Sequence, residues 1–223
     1  MQTCSPYNNR KVTLLLLSAA VATCSFAQGT LTLIGPTTRN GSFEDGLLSP
    51  WTTSAGSVSV IQNPSIATHG GWFADVSITA QDSMVQASIF MEMAADAADG
   101  RTFDVAFDAR NETFPFAGIR VLFATLDKDA VVKFTTNRFF ALPQQGWQTY
   151  RVQFQVPEVW DNGSLSLGLR FEPRMGVAGR TYRGYLDNIV LQQIPEPSAF
   201  ALCGVCIIFW AAGLLRRRNA FET

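Results

Sequence analysis

Apolar and polar positions alternate with a period of two through most of the middle of the chain. Phe103, Val105, Phe107 and Ala109 alternate with Thr102, Asp104, Ala106 and Asp108. Tyr150, Val152, Phe154 and Val156 alternate with Arg151, Gln153 and Gln155, and Leu165, Leu167, Leu169 and Phe171 with Ser164, Ser166, Gly168 and Arg170. Antiparallel strands buried on one face produce this pattern. Further strand candidates are Thr30–Ile34, Ser57–Gln62, Trp72–Thr79, Ser83–Glu92, Ile119–Leu126, Ala130–Thr135 and Tyr182–Gln192. Asn40-Gly41, Gly70-Gly71, Asp99-Gly100, Gln145-Gly146 and Asn162-Gly163 punctuate them with turn chemistry. About ten short strands with such punctuation argue an all-β sandwich or jelly roll. One short helix is expected, around Met93–Ala98.

The two ends break the alternation. Arg10 and Lys11 precede the apolar run Val12 to Val21, and Ser25-Phe26-Ala27 follows. A basic flank, a short apolar stretch and small residues at the first and third positions of a cleavage site describe a secretory signal peptide, cut after Ala27. At the other end, Pro195-Glu196-Pro197 precede an apolar run from Ala199 to Leu215, then Arg216-Arg217-Arg218. As a helix that run reaches about 26 Å, enough to cross a hydrocarbon core if the arginines snorkel. The Arg cluster predicts a cytoplasmic tail and an exported body.

Removing the ends changes the composition. The whole chain has 17 Lys and Arg against 18 Asp and Glu. Between Gln28 and Ile194 there are 12 and 16, a net of −4. No basic field exists to hold phosphates, which argues against nucleic acid as a partner. All four cysteines, Cys4, Cys24, Cys203 and Cys206, lie outside that stretch. The middle therefore coheres through its core, which a chain of this length can build.

Two resemblances rest on these residues. Pro195-Glu196-Pro197, one apolar span and an Arg cluster at the chain end resemble the PEP-CTERM sorting signal of bacterial envelope proteins. That resemblance implies recognition by an exosortase, transient anchoring in the inner membrane, and delivery of the body to the cell surface or exopolysaccharide matrix. A plain C-terminal anchor is the simpler alternative. In the middle, Asn40-Gly41-Ser42-Phe43-Glu44-Asp45-Gly46 with Trp51, His69-Gly70-Gly71-Trp72-Phe73-Ala74, Arg101 to Arg110, Gly146-Trp147-Gln148-Thr149-Tyr150 and Tyr185-Leu186-Asp187-Asn188-Ile189-Val190-Leu191 follow in order. Together they resemble carbohydrate-binding modules of the family 4/9 (CenC-like) group, which implies a galactose-binding-like jelly roll. The expected organisation is a signal peptide over 1–27, a β-sandwich over 28–193 and a sorting signal with a transmembrane helix over 194–223.

The family resemblance also implies a structural calcium, with Glu44 and Asp187 supplying carboxylates and Ser42 a backbone oxygen, in keeping with the ion's demand for oxygen ligands. The alternative is that these acids are ordinary turn and strand-end acceptors. Sugar binding needs aromatic faces beside polar groups. Trp51 and Trp147 are read as framework. Trp160, Phe114, Phe116, Tyr182 and Arg110 are the candidates for a ligand face, with Asn111, Arg170 and Arg183 beside them. The alternative is that they pack under their own loops. Asn40, Asn111 and Asn162 match a glycosylation pattern that turn chemistry also explains.

Catalysis has little to stand on. His69 is the only histidine, so no His-based triad or multi-His metal centre can form. Glu92, Glu112, Glu158 and Glu172 offer no distinguished pair for hydrolysis. The reading is a non-catalytic, exported surface or matrix protein that associates with extracellular polysaccharide. A structural or adhesive envelope protein without sugar binding is the first alternative, and a cryptic glycan hydrolase the second.

Overall fold

A computed structural model describes residues 30–79, 86–94, 102–112, 116–143, 146–157, 163–173 and 177–194. Eleven strands occupy these residues: β1 (Leu31–Ile34), β2 (Thr52–Ala55), β3 (Ser57–Gln62), β4 (Trp72–Thr79), β5 (Ala87–Ala94), β6 (Thr102–Asn111), β7 (Phe116–Leu126), β8 (Val132–Ala141), β9 (Gln148–Gln155), β10 (Ser164–Pro173) and β11 (Thr181–Ile194). They form two antiparallel sheets. One runs β3-β4-β11-β6-β9 with β1 also on β11, and the other runs β2-β5-β10-β7-β8. This is an all-β sandwich of jelly-roll type, within the compact unit Thr30–Pro195.

The period-two pattern explains the core. In β6 the inward set is Phe103, Val105, Phe107 and Ala109; in β10 it is Leu165, Leu167, Leu169 and Phe171, all fully buried. Aromatic rings from both sheets meet in the middle. Phe123 lies 5.1 Å from Phe103 and stacks on Phe154 at 5.0 Å, and Phe107 stacks on Tyr150 at 5.4 Å. Burying each such side chain contributes about 1.5–3 kcal/mol.

Several expectations move. Met93 and Ala94 finish β5 rather than opening a helix, because Met91 and Met93 continue its inward phase; residues 95–98 lie outside the described ones. The stretch assigned to Ala130–Thr135 begins at Val132 instead. Asp127 Oδ1 accepts the Asp129 and Val131 N–H groups, and Ala130 sits at φ +58°, so a turn occupies the start of that stretch. Strand β2 carried no sequence signal: Thr-Thr-Ser-Ala has no apolar alternation.

Candidate functional site

The loop joining β3 to β4 folds over the outer face of the six-stranded sheet, and two acids hold it there. Asp187, fully buried in β11, accepts the Thr68 and His69 N–H groups on Oδ2 (2.7 and 2.9 Å) and that of Asn188 on Oδ1 (2.7 Å). Glu44, from the opening loop, accepts the N–H groups of Gly71 and Trp72, each at 3.0 Å to Oε1. Gly70 adopts φ +63°, and a Cβ there would lie 2.2 Å from the Glu44 carboxyl carbon. Only glycine admits the clamp. Trp147 fastens the same loop through Nε1–H to the Ile66 carbonyl at 2.6 Å, and packs against Phe73 and Tyr185.

Asp108, placed on the solvent phase by its alternation, is buried beneath this loop instead. Its Oδ1 accepts the Thr149 hydroxyl at 2.6 Å. The Thr68 hydroxyl lies 2.7 Å from Asp108 Oδ2 and 3.0 Å from Asp187 Oδ2. One hydroxyl proton cannot serve both oxygens. Burial pushes the Asp187 carboxyl up against the lowering pull of its N–H donors. The spot is therefore rich in oxygen lone pairs, the donor chemistry that calcium takes. Among the described residues no three acidic, His or Cys side chains gather as a metal cluster. Ser42 is buried, and its hydroxyl donates to the Pro36 carbonyl at 3.1 Å.

Of the expected aromatic ligand face, the described members Phe116 and Tyr182 are buried. They are 2% and 6% exposed, lie 5.8 Å apart, and belong to the core: Tyr182 falls on the inward phase of β11, and a register shift opposite Glu172 and Pro173 turns Phe116 inward although it lies out of phase with Ile119, Val121 and Phe123. The Tyr182 hydroxyl accepts the Val177 N–H. Arg110 pairs with Glu112 at 2.9 Å and lies 5.5 Å from the Tyr185 ring, on the outer face of the six-stranded sheet. Asn111 is buried, with both ends of its amide engaged, so it offers neither a ligand contact nor a glycosylation acceptor. Trp51 is core, as expected, and donates through Nε1 to the Asn40 carbonyl. Trp160, Phe114, Ala27, Pro195, Glu196, Pro197, Arg216, Arg217 and Arg218 lie outside the described residues.

A different surface has the makings of a binding site. The outer face of the five-stranded sheet carries a cleft of about 340 Å³ lined by Ser54, Gln86, Ser88, Phe90, Leu122, Ala124, Thr135, Ser166, Gly168 and Arg170. Register builds it. Phe90, Gly168, Leu122 and Asn137 form one row across β5, β10, β7 and β8; Ser88, Arg170, Arg120 and Phe139 form the row beside it. The small residues Gly168, Ser166 and Ala124 leave the floor low. Phe90, 37% exposed, stands at one side of it. Phe139, 41% exposed, lies beyond the cleft, with its ring over Gly118.

The charged corner of this face is tightly organised. Arg120 grips Glu172 with Nε and Nη2 (2.6 and 2.9 Å), donates through Nη1 to Asn137 Oδ1 at 2.9 Å, and lies 5.4 Å from the Phe139 ring. Arg170 donates to the same Glu172 from Nε and Nη2, at 3.1 and 2.9 Å. Hydrogen bonding to Arg120 chiefly, then Arg170, holds the Glu172 carboxyl below the usual carboxylate range against the opposing effect of burial.

Phe90 and Phe139 were legible in principle. Ala87, Ile89, Met91 and Met93 set the inward phase of β5, so Phe90 is an aromatic on the polar phase. Phe134 and Phe140 do the same for Phe139 in β8.

No family model and no curated protein matches the chain. Solved structures match it in fold. One is a carbohydrate-binding module of the β-sandwich superfamily, at 16% identity and a TM-score of 0.51, covering 68% of this chain and 60% of that one. A cyclase from Fischerella sp. TAU matches at 17% identity and a TM-score of 0.53, over 73% of this chain and 99% of that one. The enzymatically active domain of bacteriophage CBA120 tailspike protein 4 matches at 14% identity and a TM-score of 0.51, over 68% of this chain. This chain spans 20% of that tailspike. What these likenesses share with the present chain is the fold, a two-sheet antiparallel β-sandwich.

Proposed function

We propose that the domain is a non-catalytic, glycan-associating module, exported and carried at the cell surface or in the extracellular matrix. The observation that carries this reading is the cleft on the five-stranded sheet: the exposed Phe90 ring stands beside a floor of small residues, with serine, threonine and glutamine side chains around it. Sugar rings offer apolar C–H faces for the aromatic ring and hydroxyls for the polar rim.

The terminal segments complete the proposal. The signal peptide cut after Ala27 takes the chain out of the cytoplasm. Pro195-Glu196-Pro197, the apolar run and Arg216-Arg217-Arg218 hold it transiently in the membrane until an exosortase removes the tail. Calcium also belongs here as a proposal. Glu44, Asp187 and Ser42 would hold it beside the β3–β4 loop, where the ion would neutralise buried carboxylate and brace the loop.

The hydrolase alternative is poorly served by this cleft. Hydrolysis needs a carboxylic acid that keeps its proton, whereas two guanidiniums hold Glu172 ionised.

The test is a polysaccharide panel by affinity electrophoresis with the native domain and with Phe90→Ala. Retardation by at least one polymer, lost in the variant while its thermal unfolding is unchanged, supports the reading. Retention of full binding in the variant would remove the cleft from consideration. An absence of binding across the panel would favour the structural or adhesive role.

A further inference from the structure

The cleft has a charge asymmetry that its fold does not require. Register places Arg170 directly opposite Arg120 on neighbouring strands. Like charges so placed destabilise a sheet. Glu172 offsets one of the two, and the geometry says which. Arg120 is fully committed, with both prongs on Glu172 and its remaining nitrogen on Asn137. Arg170 shares only Oε1, an oxygen that Arg120 already occupies, and its Nη1 has no hydrogen-bond partner among the described residues. Two guanidiniums against one carboxylate leave one positive charge, and Arg170 is the member of the trio that lines the cleft.

Among the described residues no other charged side chain lines the cleft. The remaining lining side chains, Ser54, Gln86, Ser88, Phe90, Thr135 and Ser166 among them, are uncharged. The nearest acid along β5 is Glu92, which pairs across with Ser166 and accepts the Ser164 hydroxyl. It lies four residues beyond Ser88, the residue opposite Arg170, roughly 13 Å along the strand. The cleft is therefore positive at one end only.

We propose that this cleft takes an anionic glycan, one carrying hexuronate carboxylates, and that Arg170 pairs with a carboxylate of the bound chain. The assignment rests on the glycan reading above and specifies its substrate class. A guanidinium presents parallel N–H donors that match a carboxylate, and bonds of this kind are stronger than neutral ones. The central region as a whole is acidic, at −4, so long-range attraction does not draw the polyanion in. Recognition is local.

The experiment compares polygalacturonate with the same polymer after reduction of its carboxyl groups to alcohols, using the native domain, Arg170→Gln, Arg170→Lys and Phe90→Ala. The native domain is expected to bind the polyuronate about tenfold or more tightly than the reduced polymer. Arg170→Gln should bring the two affinities together by weakening only the first. Arg170→Lys should restore part of the preference, which a merely structural arginine would not do. Thermal unfolding of each variant identifies any that fails to fold, in which case Arg170→Lys carries the comparison. Equal native affinity for the two polymers, with Phe90→Ala still abolishing both, would overturn the uronate assignment and leave the glycan reading standing. Native binding to neither polymer would overturn the uronate assignment, and a neutral-polysaccharide panel would then decide the glycan reading.

Discussion

Asn111 gives the sharpest test of how the sandwich is held at its loop end. It closes β6, is 2% exposed, and uses its amide completely. Nδ2 donates to the carbonyls of Phe116 (3.0 Å) and Pro143 (3.1 Å), while Oδ1 accepts the Phe116 N–H (2.9 Å). One side chain therefore ties the end of β6 to the start of β7 and to the segment after β8. Asn111→Asp keeps the shape and turns a two-proton donor into an oxygen facing two carbonyls. Two hydrogen bonds worth about 1 kcal/mol each are lost, and the buried Phe116 carbonyl and the part-buried Pro143 carbonyl lose this donor beside a buried charge. The total is about 3–5 kcal/mol with the carboxylate ionised. The introduced acid can escape by keeping its proton, since burial and carbonyl neighbours both disfavour the charge. Its folded pKa then stands above its unfolded value. The folded state binds more protons in that window, so stability falls as pH rises through it. Urea unfolding near pH 5 and near pH 8 should show a mild defect at the lower pH and the full one at the higher. The midpoint should drop while the denaturant slope holds, and the melting temperature should fall by about 10 °C at the higher pH. Asn111→Leu should be destabilised equally at both. A variant Asn111→Asp within about 1 kcal/mol of native near pH 8, with a flat pH profile, would refute the bridging role.

Three further outcomes follow from other parts of the fold. Gly70→Ala, forced to φ +63° with its Cβ against the Glu44 carboxyl, should cost about 1–2 kcal/mol. Gly71→Ala is its control: that Cβ meets only Pro64 at 3.9 Å, and equal losses in the two would remove the clamp argument. Glu172, held below the usual carboxylate range by Arg120 and Arg170, lends stability that is present above its unfolded pKa and lost as pH falls through the folded one. Glu172→Gln should therefore lie closest to native at acid pH in a melting series, and a gap that widens on acidification would contradict the pairing. Asp187→Ala should abolish any rise in melting temperature produced by calcium over a chelator, and a response equal to that of the native domain would exclude Asp187 as a ligand.

How much the sequence disclosed depends on what each residue's neighbours do. The bounds of β3 and β4 follow from alternation alone, and the structure repeats both. The inward sets of β6, β9 and β10 were equally legible, because period-two burial needs no knowledge of the partner strand. What alternation cannot see is a cover. Asp104 and Asp108 sit on the polar phase of β6 and are nonetheless buried, Asp104 under the Arg151 guanidinium and Asp108 under the β3–β4 loop. The same blindness misplaced Phe116 and Tyr182. Loop-flanking position suggested exposure for both; Tyr182 keeps the inward phase of β11, and Phe116 is turned inward by a register shift that alternation does not foresee. Phe90 and Phe139 were overlooked for the opposite reason: attention to tryptophans and loops passed over aromatics standing out of phase within strands.

The two outer faces of the sandwich then make a controlled comparison within one molecule. Both carry aromatic side chains on the polar phase of their strands. On the six-stranded sheet, Phe73 and Tyr185 are 2% and 5% exposed, since the β3–β4 loop, Trp147 and two guanidiniums close over them. The chain thus has the means to cover an outward aromatic. On the five-stranded sheet Phe139 covers Gly118 and carries the Arg120 guanidinium, whereas Phe90 stays 37% exposed beside a floor cut low by Gly168, Ser166 and Ala124. A serine or threonine at position 90 would suit an exposed strand as well. Apolar area left in water retains a driving force of about 25 cal/mol per Å² for whatever covers it. Under the uronate proposal the residue that decides what covers it is Arg170, because its charge makes neutral and anionic chains energetically unequal beside that ring.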